Sequence, residues 1–303
     1  MLSVGSLCTG YGGLEMGLET VYGEIDLRFV SDIDKDVNTL LAHYHPNTLN
    51  LGDLTVVNWA DIEPVDVLTA GYPCQPFSTA GKRKGLEDER AIFEYIADGI
   101  SVLRPQNVLL ENVAGHITLG GTAVIATLTK LGYDNIRWGI VRASDTGAPH
   151  KRARLFIWAQ TTNTKRSVKQ GESRKTQRME RQFRRSNCEV TSNTGSERLQ
   201  RLRPKCKLAE KKRACPIGFF GAYEPAVKQW AQIIERPVPV PVNDKGVEPV
   251  FVEWMMGLPE GHVTGLGLSR TAQLKMLGNG VVPQQAALAI KLLTERSYYA
   301  TSA

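Results

Sequence analysis

The chain has 303 residues, 42% of them hydrophobic and 22% charged, which is enough apolar material for one large domain and a smaller appended one. It contains no uncharged apolar run of about 18 residues, so a transmembrane helix is excluded, and the opening MLSVGSLCTGYGG lacks the form of a secretory signal, so a cytoplasmic protein is expected. The net charge of +6 is unevenly spread: 17 Lys and Arg stand against 5 Asp and Glu between Lys165 and Arg213, leaving the rest of the chain negative by 6. One concentrated basic segment on an acidic body suits a polyanion partner, although a solvated charged insert has the same composition.

In chain order, Ser3–Leu7, Leu27–Ser31, Val65–Ala70, Asn107–Leu110, Ile136–Val141 and Leu155–Ala159 read as buried strands. Leu14–Tyr22, Val37–His43, Ala91–Leu103 and Val124–Leu131 between them have helical spacing. This alternation predicts an α/β fold with a doubly wound, mostly parallel sheet over residues 1–160, with ligands beyond the carboxyl ends of the strands. Regular patterning then collapses, and the proline run Arg236–Val242 interrupts it again. Residues 161–250 are therefore expected to form a smaller, largely irregular second domain. Residues 251–303 regain helical spacing, above all Gln284–Leu293, and are expected to return to the first domain.

The five cysteines, Cys8, Cys74, Cys188, Cys206 and Cys215, include no C-x-x-C pair, so neither a zinc site nor a disulfide framework is indicated and no metal is expected. After the first strand, Gly10, Gly12 and Gly13 let the backbone turn and approach a ligand, and a helix begins near Leu14. Asp32 and Asp53 follow the next two strands. The first suits a ribose diol and the second an exocyclic amine, and together with the glycine loop they favour an adenosine-containing cofactor. Taken singly, each aspartate more often marks a turn or a helix cap.

The segment GYPCQPFS, Gly71 to Ser78, directly follows the strand DVLTA. Pro73 and Pro76 flank Cys74 and stiffen a loop at the strand's carboxyl end. A thiolate held there is a strong carbon nucleophile.

PCQPFS resembles the nucleophile motif of the DNA (cytosine-5)-methyltransferase family. Four more segments resemble that family's motifs in the family's order: S-L-C-T-G-Y-G-G, Glu111–Val113, His150–Arg154 (H-K-R-A-R) and Gly278–Val281. The resemblance covers roughly residues 1–160 and 248–295 and leaves the basic middle unmatched, as a variable target-recognition domain would be. It implies the class I S-adenosylmethionine-dependent methyltransferase fold, with S-adenosyl-L-methionine as cofactor and a monomer of bacterial or phage type acting on double-stranded DNA.

By that resemblance, Cys74 attacks carbon 6 of a flipped-out cytosine and Glu111, at the end of its strand, stabilises the charge at ring nitrogen 3. Arg154 contacts the base carbonyl and the Cys74 loop, and Arg152 holds phosphate or that loop. Cofactor contacts fall on Cys8, Gly10, Tyr11, Gly13, Leu14, Asp32, Ile33, Asp53, Leu54, Pro73, Asn279 and Val281. DNA contacts fall on Gln75 and Ser78, with Arg178, Arg181, Arg184 and Arg185 as candidates in the basic segment. Three departures stand out: Cys8 where an aromatic is common, Ile33 where tryptophan is common, and His150 where glutamine is usual. Rival readings are an RNA cytosine-5 methyltransferase, a nucleic-acid-binding module without catalysis, and a nicotinamide-dependent oxidoreductase. The last is disfavoured because the loop lacks G-x-G-x-x-G spacing.

Overall fold

The computed structural model describes residues 1–73, 90–162 and 219–295. Seven strands, β1 (Leu2–Leu7), β2 (Ile25–Val30), β3 (Leu49–Asn50), β4 (Val67–Ala70), β5 (Asn107–Val113), β6 (Asn135–Val141) and β7 (Arg154–Gln160), form one sheet in the order β3-β2-β1-β4-β5-β7-β6. All neighbours run parallel except β7, which lies antiparallel between β5 and β6. The order reverses beside β1, which puts a crevice beyond the carboxyl ends of β1 and β4.

Side chains alternate across the sheet as the two-residue strand period requires. Leu68, Ala70, Val108 and Leu110 face a core shared with Ile96 and Ile100 of α3 (Arg90–Leu103) and Leu128 of α5 (Gly121–Lys130), which follows the one-turn α4 (His116–Leu119). Val67 and Leu109 face the other way, onto Leu18 of α1 (Gly13–Tyr22). The helix predicted at Gln284–Leu293, which spans Pro283–Thr294, joins that second face through Ala286, Ala289 and Ile290. Proline at its first turn lacks only an N–H that the helix leaves unpaired anyway.

A third cluster joins the chain's later part to the cleft side of the sheet. Helix α2 (Lys35–Tyr44) supplies Leu40 and Leu41, and α6 (Glu224–Ile233) supplies Val227 and Trp230. Helix α7 (Pro249–Met255) adds Phe251 and Trp254, and α8 (Arg270–Asn279) adds Met276 and Leu277. Trp230 and Trp254 are fully buried, and the Trp230 indole donates to the Trp254 carbonyl at 3.0 Å, so its polar edge is satisfied inside the core. A two-residue hairpin, β8 (Val242–Asn243) with β9 (Gly246–Val247), and α9 (Pro283–Thr294) complete the described elements.

The expected strands and helices of residues 1–160 are present, with two differences there and a third beyond residue 218. Strand β3 is too short to leave a sequence period. Strand β5 runs three residues beyond Leu110, so Glu111 sits inside it rather than at its end. Between 219 and 250, α6 supplies regular structure that the sequence pattern did not suggest, because only Val227 and Trp230 of it are buried.

Candidate active site

The first loop is built by two residues in left-handed conformations, Gly10 (φ 57°) and Gly12 (φ 85°), the latter ending the loop at the first turn of α1. Cys8 is also left-handed (φ 51°), and burial, reinforced by the charge of Asp32, pushes its thiol up to about 12. It is therefore a packing group rather than a nucleophile. The Gly10 N–H donates to Asp32 Oδ2 at 3.0 Å, and the Asp34 N–H donates to Oδ1 at 2.9 Å. These bonds tie the loop to the end of β2 and leave lone pairs of the carboxylate for a ligand. Asp34 in turn caps α2 by accepting from the Asp36 N–H at 2.9 Å.

A cleft of about 800 Å³ lies over these strand ends. All twelve residues expected at the cofactor line it: Cys8, Gly10, Tyr11, Gly13, Leu14, Asp32, Ile33, Asp53, Leu54, Pro73, Asn279 and Val281. Glu111 and Arg154 line the same space. Ile33 is 76% exposed, and Asp53 caps a short 3-10 turn through the Thr55 N–H at 2.9 Å, which holds its carboxyl below the usual range. Tyr11 is nearly fully buried and donates its hydroxyl to the Val281 carbonyl at 2.8 Å. Gly280 packs directly on the Tyr11 ring, where a Cβ would lie 1.9 Å from Cε1. These contacts bring a segment some 270 residues away in sequence to the first loop.

Glu111 and Arg154 form a buried ion pair, Oε1 to Nε 2.9 Å. Burial pushes the Glu111 carboxyl up to about 7, against the lowering pull of Arg154 and Arg152. Its neighbour Asn112 donates to the Tyr72 carbonyl at 3.1 Å, fixing the chain just before Pro73. The Tyr72 hydroxyl meets His116 Nε2 at 3.0 Å.

Arg152 reaches the G-N-G turn. Its backbone is left-handed (φ 35°), and its guanidinium donates to the carbonyls of Gly278, at 2.7 Å, and Gly280. Through Nη2 the head group holds the G-N-G turn. Burial lowers its pKa to about 10. His150, by contrast, has a partner that the sequence did not give, the Met255 carbonyl at 2.9 Å from Nε2. Cys74, Gln75, Ser78, Arg178, Arg181, Arg184 and Arg185 lie outside the described residues.

Sequence reasoning missed several groups. Glu15 lines the cleft from the first turn of α1, where an acidic residue reads simply as favourable to the helix dipole. Lys275 bridges to Asp34 at 2.6 Å across the cleft rim. Glu253, fully buried, accepts from the Gly261, Val263 and Thr264 N–H groups and from the Thr264 hydroxyl. It organises the turn whose His262 meets the Tyr11 carbonyl at 2.9 Å. The acid four residues into the Pro249 helix was visible, but its partners are not adjacent in sequence.

Among the cleft-lining residues, Glu15, Asp32, Asp34, Asp36, Asp53 and Glu111 outnumber the cations Arg154 and Lys275. This suits a cationic ligand with sugar hydroxyls, and the volume falls in the usual range for cofactor sites.

A family model described as "C-5 cytosine-specific DNA methylase" matches residues 2–230. Among curated relatives, the Type II methyltransferase M.NlaX of Neisseria lactamica is 37% identical over 164 residues, covering 52% of this chain and 51% of the relative. The Type II methyltransferase M.BsuFI of Bacillus subtilis is 38% identical over 159 residues, covering 50% and 37%. The chain spans about half, or less, of the length of the curated relatives it matches. Among solved structures, the S. pombe Dnmt2 methyltransferase superposes with a TM-score of 0.62 at 18% identity, covering 97% of this chain and 98% of that one. A DNA modification methyltransferase described as encoded within an E. coli prophage gives 0.60 at 17% identity, covering 96% and 98%. At such identities these structures share the fold.

Proposed function

As the chain belongs to the C-5 cytosine-specific DNA methylase family, we propose that it methylates carbon 5 of cytosine in duplex DNA, with S-adenosyl-L-methionine as cofactor and Cys74 as nucleophile. The observation that carries this reading is the single cleft that gathers Asp32, Asp53, Pro73, Glu111, Arg154 and Val281 from separate parts of the chain. Asp32 would hold the ribose hydroxyls, Asp53 the adenine amine, and the Gly10–Gly13 loop the chain between them. When bound, the cofactor supplies an electrophilic methyl group.

The protein's own residues do the rest. Carbon 5 of cytosine is a poor nucleophile until carbon 6 is attacked. Pro73 lines the cleft one residue before Cys74, so the nucleophile's loop starts at the site. As the sulfur–carbon bond forms, electrons move onto the ring. Glu111, whose carboxyl burial raises to about 7, offers its proton to ring nitrogen 3. Arg154 orients Glu111 through Nε and has further N–H groups to offer the base carbonyl. Loss of the carbon-5 proton after methylation, and cleavage of the sulfur–carbon bond, restore Cys74.

A stacked base cannot enter such a cleft, so the cytosine is flipped out of the duplex, and the basic stretch between Lys165 and Arg213 neutralises phosphates and reads flanking bases. Transfer of a radiolabelled methyl group to duplex DNA and to transfer RNA, by wild type and by Cys74→Ser, tests the proposal. DNA labelling abolished by the substitution supports it. Labelling of transfer RNA alone, or labelling that survives the substitution, overturns it.

A further inference from the structure

The chemistry above gives Glu15 no task. The residue is only 6% exposed, yet it lines the cleft. Its Oε1 accepts from the Thr69 hydroxyl at 2.5 Å, while Oε2 is buried without a hydrogen-bond partner. None of the ion pairs among the described residues includes it. Buried acceptors are nearly always satisfied in native folds, so one on a residue that lines a cleft points to a donor that arrives with a ligand.

Gly12 keeps a side chain away from that oxygen. A Cβ placed on Gly12 would have Glu15 Oε2, 3.9 Å away, as its only non-adjacent neighbour within 4 Å. Thr69 fixes one oxygen and so aims the other.

Position along the cleft narrows the donor. Asp32 and Asp53 follow β2 and β3, whereas Pro73 and Glu111 belong to the β4 and β5 side. An adenosine over the first pair must send its sulfonium arm across β1 toward the second pair. Glu15, bonded to Thr69 of β4, stands along that crossing. The free end of the arm carries a carboxylate and an ammonium. Free N–H groups in the first turn of α1 suit the carboxylate, and an unpaired carboxylate oxygen suits only the ammonium.

We infer that Glu15 binds the α-ammonium of S-adenosyl-L-methionine; the inference rests on the cofactor reading of the cleft given above. Burial raises the Glu15 carboxyl against the lowering pull of the Thr69 and Ser6 hydroxyls, and an incoming cation favours the charged form.

Equilibrium binding to the full chain and to Glu15→Gln tests this with three ligands. They are S-adenosyl-L-methionine, its decarboxylated form, which keeps the ammonium, and 5′-methylthioadenosine, which lacks the amino-acid arm. The substitution is expected to weaken the first two about tenfold or more and the third less than about twofold, as loss of one charge-assisted hydrogen bond implies. Equal weakening of all three, or none for the first two, overturns the inference. A wild-type chain that binds none of them overturns the cofactor reading instead. If Glu15→Gln does not give a cooperative thermal transition, Glu15→Asp replaces it, and the absence of any selective weakening of the two ammonium ligands is then the contradicting result.

Discussion

Glu111 Oε1 lies 2.9 Å from Arg154 Nε because β5 and β7 pair antiparallel with Val113 opposite Arg154 and Glu111 opposite Phe156. The two charged residues are thus diagonal neighbours on one face of the sheet, close enough for a long side chain to bridge. The same face carries α1, so the pair opens into the cleft that the first loop borders. A buried carboxyl with a cation beside it is held between two tendencies, and here desolvation wins.

The pH dependence follows with a definite sign. If protonated Glu111 is the required form, it gives kcat/KM for DNA methylation a limb that falls as pH rises through the Glu111 pKa of about 7, while the need for the Cys74 thiolate gives an opposing limb that falls as pH drops. Glu111→Gln removes the transferable proton and is expected to lower kcat by about 100-fold or more. Steady-state kinetics between pH 6 and 9 check both statements.

Arg154→Met should move the Glu111 limb to higher pH, because the Arg154 guanidinium lowers the Glu111 pKa and its loss leaves desolvation unopposed at that oxygen. Turnover should drop as well, through lost orientation of the acid. A limb that stays in place, measured by the same profile, would detach Glu111 from the observed titration.

The C-terminal return depends on contacts at Tyr11. Gly280→Ala has a compatible backbone (φ −73°) but drives a Cβ into the Tyr11 ring. It is expected to cost about 2 kcal/mol by overpacking. Tyr11→Phe leaves the buried Val281 carbonyl without its donor and is expected to cost about 1–2 kcal/mol. Chemical denaturation of both variants tests these values. A stability unchanged in Gly280→Ala would mean that the loop packs elsewhere.

At the cofactor end, Asp32→Ala removes an acceptor shared by the Gly10 and Asp34 N–H groups and should weaken S-adenosyl-L-methionine binding by about tenfold or more. Ile33→Trp should strengthen it, since the 76%-exposed side chain at the cleft offers no flat surface to an adenine. Titration calorimetry reads both, and no gain for Ile33→Trp would remove Ile33 from the adenine contact.

Much of this organisation is legible in the sequence, for physical reasons. Strands buried on both faces leave short apolar runs, and β4 and β5 were visible as such runs. The glycine loop and the acid after β2 announce a ligand by their backbone demands and position. What stays hidden depends on contacts distant in sequence. The Arg152 guanidinium reaches carbonyls more than 120 residues away, so no local pattern separates it from a phosphate-binding arginine. Glu15 reads as an ordinary first-turn acid until its burial beside Thr69 is known. Helix α6 escapes because a stripe of only two buried residues, Val227 and Trp230, leaves little periodicity.

The most direct test of the central claim uses a randomised duplex pool made with 5-fluorocytosine in place of cytosine, incubated with the protein and S-adenosyl-L-methionine. Fluorine at carbon 5 blocks the final elimination. The predicted result is a protein–DNA adduct that survives denaturation, requires the cofactor, maps to Cys74 by peptide mass and is absent from Cys74→Ser. A pool that yields no adduct, or one equally abundant with Cys74→Ser, would contradict it.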